Sequence, residues 1–340
     1  MVQVPIVDLS NIGNGTIVDF SEHAIFSLDG DLGYLETNPA LRAFAGVALS
    51  TGEPQRIPGP CSDSCSYSIS IDGLLFTCQD VPTSENNILS DHGLIYKAED
   101  RTGKTRREGN WNWQNMTFVI NWVLTPSIQF NKAAEIRGLA CSTLLATYTL
   151  DISYRGGLQS VNTTVKEQSS PWTNAQPIVQ QYYDYFTFIR DLSYDGPVVV
   201  NDTMRQQLTM EFTRTQAFAI RDAAIGPLLG WVYNFADCEV QSTRTNLTLI
   251  MGSDFVTRNT VTAPRFNISA EGLQNYLQNV VISTIALNPA NKPIWRSRPI
   301  KVSSGAIVYT FSEPWQFYAP YGASLLVTFL IYGVGIWSLY

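Results

Sequence analysis

The 340-residue chain is 45% hydrophobic but only 15% charged, well below the quarter of charged residues usual in globular proteins. It is long enough for a substantial core in one large domain or two. Its net charge of −7 argues against nucleic acid as a partner, because that binding needs clustered Lys and Arg against phosphate.

In chain order, residues 1–33 read as an extended, turn-rich lead carrying short apolar pieces (VPIVDL, TIVDF, AIFSL). Within it, DGDLG at residues 29–33 lacks the later acidic positions and closing Glu of a calcium loop, so it predicts a β-turn. Thr37 or Asn38, followed by Pro39, predicts the start of a short helix, ALRAFAGVAL. Around the first cysteines, Tyr67, Ile69 and Ile71 alternate with serines at the period of a half-buried strand. Asp72-Gly73 then predicts a hairpin turn, with residues 74–78 returning as partner strand and Cys61 or Cys65 stapled to Cys78. The basic run Arg101, Lys104, Arg106 and Arg107 is flanked by acids and glycines and reads as a solvated loop. Strands are predicted at residues 116–124 and 145–154, both alternating and rich in β-branched and aromatic residues.

Two longer helices follow. One is capped by Asp202 or Thr203 and places Met204, Leu208 and Phe212 on one face. The other spans residues 270–287, with Ser269 as cap, Leu273, Leu277 and Val280 or Val281 on one face, and Asn288-Pro289 as stop. A last strand is predicted at residues 305–311 (GAIVYTF). Strands and helices mix without a βαβ alternation, which predicts an α+β fold: a disulfide-stapled, β-rich body with two longer helices, followed by a C-terminal transmembrane helix. The expected division is a body over residues 1–314, with a possible subdomain break near 170–200, and a transmembrane helix over 319–340.

That terminal stretch dominates the reading. Glu313 is the final charged residue, so 27 uncharged residues close the chain. Residues 323–340 form an apolar run whose helix is about 27 Å long at about 1.5 Å per residue, enough to cross a hydrocarbon core. Trp315, Phe317, Tyr318 and Tyr321 cluster at one end and Trp337 and Tyr340 at the other, as interfacial anchors do. Pro320 suits the first turn of this helix. Between Val302 and Gly322 there is no Lys or Arg, which points the upstream side away from the cytoplasm. The chain stops at Tyr340 before any basic flank, as an anchor cut at its far interface would.

Five cysteines (Cys61, Cys65, Cys78, Cys141 and Cys238) read as disulfide candidates rather than as zinc ligands, because the two histidines, His23 and His92, stand in no ligand motif. An odd count leaves one over and about fifteen two-bridge arrangements open; Cys141 with Cys238 is a plausible longer bridge. Six N-x-[ST] sequons at Asn14, Asn115, Asn162, Asn201, Asn246 and Asn267 point to the same oxidising compartment. The N-terminus carries no signal peptide. Either residues are missing upstream, the favoured expectation, or the protein is tail-anchored with its body in the cytosol.

No catalytic constellation stands out. There is no G-x-S-x-G, H-E-x-x-H, P-loop or G-x-G-x-x-G, and Asp91 beside His92 makes no productive pair. A two-carboxylate glycosidase needs no motif, but Asp184, Asp191, Glu211 and Asp222 look like ordinary surface acids. The aromatic runs at residues 182–186 (YYDYF) and 111–113 (WNW) read as packing before they read as a sugar platform. No cofactor or metal is implied, and no motif names a ligand or protein partner.

The run PGPCSDSCSYSISIDGLLFTC, the helical second half with its sequons, and the membrane entry YAPYGASLLVTFLIYGVGIWSLY resemble the large lumenal or extracellular domain of fungal multi-span membrane proteins of unknown function. The resemblance covers nearly the whole chain. It implies N-terminal spans and a cytosolic tail after the last span; this chain departs by showing neither, so it is expected to be truncated at both ends. Relatives in that family are sometimes labelled deformylase-like, but the H-E-x-x-H which that chemistry requires is missing, so no enzyme activity carries over. The expected function is a non-enzymatic binding, sensing or structural ectodomain at the plasma membrane or in the secretory pathway, with the bilayer as partner. A membrane-tethered, carboxylate-based, glycan-directed hydrolase is the alternative from another class.

Overall fold

A computed structural model describes residues 2–10, 12, 17–18, 25–29, 33–57, 59, 64–81, 93–101, 116–124, 135–167, 198–199, 201–237, 240–246, 248–257, 264–287, 296–304 and 314–338. The chain divides into two compact units, Met1–Ser303 and Ser304–Tyr340.

The first unit is built on an eight-stranded sheet. Its long strands are β1 (Ser64–Asp80), β2 (Leu94–Asp100), β3 (Thr117–Val123), β4 (Ile136–Arg155), β5 (Leu158–Glu167), β6 (Gly230–Asp237) and β7 (Val240–Asn246). They lie antiparallel in the order β7-β6-β2-β3-β4-β1, with β5 also paired to β4. The long strand β4 organises the sheet. One edge pairs with β1 along its length, from Leu139↔Asp80 to Arg155↔Ser64. The other edge is shared, β3 taking residues 136–142 and β5 taking residues 146–155.

The predicted hairpin at Asp72-Gly73 is not there. Strand β1 runs straight through it, with Asp72 opposite Thr147 and Gly73 opposite Ala146. The glycine answers a different need. A Cβ on Gly73 would lie 2.5 Å from Val281 Cγ1 and 2.9 Å from Tyr148 Cε2, so its missing side chain admits the helix packed above. The hairpin that does form joins β4 to β5 through Gly156 and Gly157, at φ 55° and 82°. Both lie in the left-handed region that a two-residue primed turn requires.

Two helices pack on the sheet's inner face, and a third packs on those two. α1 (Pro39–Thr51) is capped by Asn38, whose side chain accepts from Ala40 N, and ends at Gly52 in the left-handed conformation. α2 (Asp202–Ile225) is capped one residue earlier than predicted, by Asn201 accepting from Met204 N at 2.9 Å. α3 (Ala270–Ser283) is capped by Ser269, as predicted, and continues as a 3-10 turn over Thr284–Ala286. The predicted apolar face of α3 (Leu273, Leu277, Val280, Val281) is buried, as are Leu208 and Phe212 of α2. From Ala217 to Arg221 every residue of α2 is fully buried, so that turn is the centre of the core. α3 packs on β1 and on both other helices. The two predicted strands at 116–124 and 145–154 appear as β3 and the second half of β4. In the lead, Phe26–Asp29 pairs antiparallel with Gly33–Thr37; residues 30–32, the middle of the predicted turn, lie outside the described residues. Val2–Ile6 pairs with Arg296–Ile300 and brings the two ends of this unit together. The strand predicted at 305–311 and the break near 170–200 fall outside the described residues, the latter apart from Val198–Val199.

The second unit carries α4 (Pro314–Trp337). Pro314, rather than Pro320, takes the first helical position. Pro320 lies inside the helix, where its ring removes one backbone hydrogen bond.

Candidate functional site: the C-terminal apolar helix

Within α4, Tyr318–Trp337 is a 20-residue segment long and apolar enough to cross a membrane. At about 1.5 Å per residue it measures about 30 Å, the thickness of a hydrocarbon core. Residues 318–338 are all exposed, and twelve of them are large hydrophobics or aromatics, from Tyr318 to Trp337. Leu325, Leu326, Val327, Phe329, Leu330 and Ile331 fill six of seven consecutive positions. At about 100° per residue that run leaves no polar face. A soluble partner would have to enclose such a helix; a bilayer does so by its nature.

Hydrocarbon demands that polar groups be satisfied within the segment, and the serine and threonine hydroxyls of the helix are. Ser324 Oγ donates to Tyr321 O at 2.9 Å and Thr328 Oγ1 donates to Ser324 O at 2.8 Å. Ser338 Oγ donates to Gly335 O at 2.9 Å beside Trp337. Of the predicted interfacial aromatics, Tyr318, Tyr321 and Trp337 are exposed. The distance from either tyrosine to Trp337 along the axis is about 24–29 Å. Trp315 and Phe317 lie in the first turn, and Tyr340 lies outside the described residues.

The body holds one defined bridge that the sequence paired differently. Cys78 joins Cys141, 63 residues away, across β1 and β4 where they stand opposite in the ladder, with Cα atoms 4.0 Å apart. The expected closure of Cys78 onto Cys61 or Cys65 depended on the hairpin, and the continuous strand removes it. The suggested Cys141–Cys238 bridge falls because Cys141 is bonded to Cys78. Cys65 is disulfide-bonded too, while Cys61 and Cys238 lie outside the described residues. Among the sequons, Asn162 on β5, Asn201 at the α2 cap and Asn267 are exposed. Asn246 lies on β7; Asn14 and Asn115 are outside the described residues.

Four tyrosines have the strongest titration shifts among the described groups; in Tyr67 burial comes first and a hydrogen bond with Tyr154 second. Burial pushes the hydroxyls of Tyr96, Tyr148 and Tyr276 well above their usual range. Each donates to a main-chain carbonyl, of Leu228, Leu74 and Ala224 respectively. Sequence reasoning missed the fully buried Arg221. It grips Asp100 with both guanidinium arms at 3.1 and 2.8 Å and reaches Thr117 O at 3.2 Å, tying α2 to β2 and β3. Nothing in a run such as AIRDAA announces a buried cation.

Of the four carboxylates considered for hydrolysis, Asp184 and Asp191 lie outside the described residues. Glu211 and Asp222 stand eleven positions apart on α2, about 16 Å along the axis. His23, His92 and both aromatic runs are outside the described residues. No group of three metal-binding side chains occurs among the described residues. Comparison with protein-family models, with curated proteins and with solved structures finds no match.

Proposed function

We propose that the chain is a membrane-anchored, N-glycosylated ectodomain: α4 crosses the bilayer and the body stands on the non-cytoplasmic side, in a binding, sensing or structural role rather than a catalytic one. The observation that carries this reading is the fully exposed, uncharged segment Tyr318–Trp337 with aromatic residues at both ends. The Cys78–Cys141 bridge supports an oxidising compartment, and the exposed sequons support exposure to the glycosylation machinery. The stretch between Val302 and Gly322, free of Lys and Arg, supports the orientation. The resemblance to lumenal domains of fungal multi-span membrane proteins leads to the same placement. A non-catalytic role is favoured by the missing catalytic motifs. The test is endoglycosidase treatment of the membrane-fractionated protein from a eukaryotic host. A gain in gel mobility is expected; unchanged mobility, with all five thiols free in the unreduced, unfolded chain, would leave a cytosolic body and sink the proposal.

A further inference from the structure

We infer that Asn162 carries an N-glycan whose role is to cover the open edge of the sheet at β5. The inference rests on the lumenal placement proposed above.

Among the described residues β5 pairs only with β4, so alternate residues along its ten positions, about five of them, turn their backbone donors and acceptors to an outer edge that no described strand takes up. Such an edge invites pairing with another chain, and proteins usually blunt it with charge, proline, a bulge or a cover. Here the middle of the strand, SVNTTV at residues 160–165, has none of the first three. It has no charge, no proline and no glycine, its pairing with β4 is regular, and four of six residues (Val161, Thr163, Thr164, Val165) are β-branched. That is the composition of a segment prone to strand-to-strand association. Charges appear only at the end, in Lys166 and Glu167, and exposed Leu158 adds an apolar side chain at the hairpin. Asn162 sits at the centre of the uncharged window. It and Thr164, the two side chains a sequon uses, are both exposed on one face, while Val161, Thr163 and Val165 turn inward.

The other exposed sequons are placed differently. Asn201 and Asn267 lie at or just before helix starts, where Asn201 Oδ1 and Ser269 Oγ accept cap hydrogen bonds, and the strands they follow, Val198–Val199 and Arg265–Phe266, are only two residues long. In the step that installs the glycan, Asn162 Nδ2 attacks the anomeric carbon of a lipid-pyrophosphate-linked oligosaccharide. The new N–C bond replaces the anomeric C–O bond, the amide nitrogen gives up one proton, and the lipid pyrophosphate departs with it. Nothing is oxidised or reduced.

The full chain, produced in a glycosylating eukaryotic host and purified in detergent, tests this by glycopeptide mass spectrometry and light scattering. Asn162 is expected to be occupied. Asn162→Gln and Thr164→Ala, which remove the sequon from opposite ends, are both expected to raise the scattering mass at least twofold. Asn162→Lys, which replaces the cover by a charge, is expected to return it to the wild-type value. A bare Asn162 with glycan on Asn201 or Asn267 would overturn the inference and leave the lumenal reading standing. Bare asparagines at every sequon would overturn both. Unchanged mass in the two sequon variants, or association of Asn162→Lys equal to that of Asn162→Gln, would overturn the shielding role.

Discussion

Removing the Cys78–Cys141 bridge should lower the stability of the body by about 4 kcal/mol. The ladder of β1 on β4 already places the two residues opposite each other, with Cα atoms 4.0 Å apart, so the double variant Cys78→Ala/Cys141→Ala can keep the native register. The bridge therefore acts mainly on the unfolded chain, where it closes a loop of 63 residues. The chain-entropy relation gives about 14 cal/mol/K for that closure, or about 4 kcal/mol at 25 °C. Equilibrium urea unfolding of a chain ending at Glu313 reads the difference. With an unfolding slope of about 3 kcal/mol/M or more, the midpoint of the double variant should fall by about 1 M, and reductant, which also opens the bridge at Cys65, should move wild type at least as far. A midpoint shift under about 0.2 M would refute the reasoning.

Three further outcomes follow. Val327→Arg puts a charge at the middle of Tyr318–Trp337; eight Leu, Ile, Val and Phe residues there supply about 2.4–4.8 kcal/mol of insertion free energy, and one central Arg costs about 2.5–3.5. The carbonate-resistant fraction should therefore fall from dominant to about half or less. Gly73→Ala forces a methyl group against Val281 and Tyr148 and should cost about 1–3 kcal/mol, read as a lower thermal midpoint with the fold retained. For Asp72, burial first and the neighbouring Asp8 carboxylate second raise the carboxyl above its usual range, opposed by a hydrogen bond with the Leu9 main chain. A folded pKa above the unfolded one means this group's contribution is full below the unfolded value and is lost as pH rises through the folded one. Asp72→Asn should accordingly raise the thermal midpoint at pH 7 and leave it unchanged near pH about 3.

Local chemistry was readable wherever the reason for a residue was local. Ser269 and Asn38 cap helices because their own side chains reach the next turn, and the apolar spacing of Leu273, Leu277, Val280 and Val281 depends only on helical periodicity. The fully uncharged end of the chain declares itself in the same way. Asp72-Gly73 misled because its glycine answers Val281, more than 200 positions away, and dipeptide turn chemistry has no access to that contact. Once the turn was misplaced, Cys78 was assigned to a near neighbour when its partner lay opposite on β4. Gly156-Gly157, between two alternating runs, was the better hairpin signal. The Arg221–Asp100 pair was illegible for the same long-range reason, since both residues look like ordinary surface charges in sequence.

The account depends most on α4 as the anchor. Alkaline carbonate extraction of membranes from cells making the full chain, or a chain ending at Glu313, tests it directly. The full chain should stay in the pellet and the shortened one should pass into the supernatant. Release of the full chain, or retention of the shortened one, would contradict the claim.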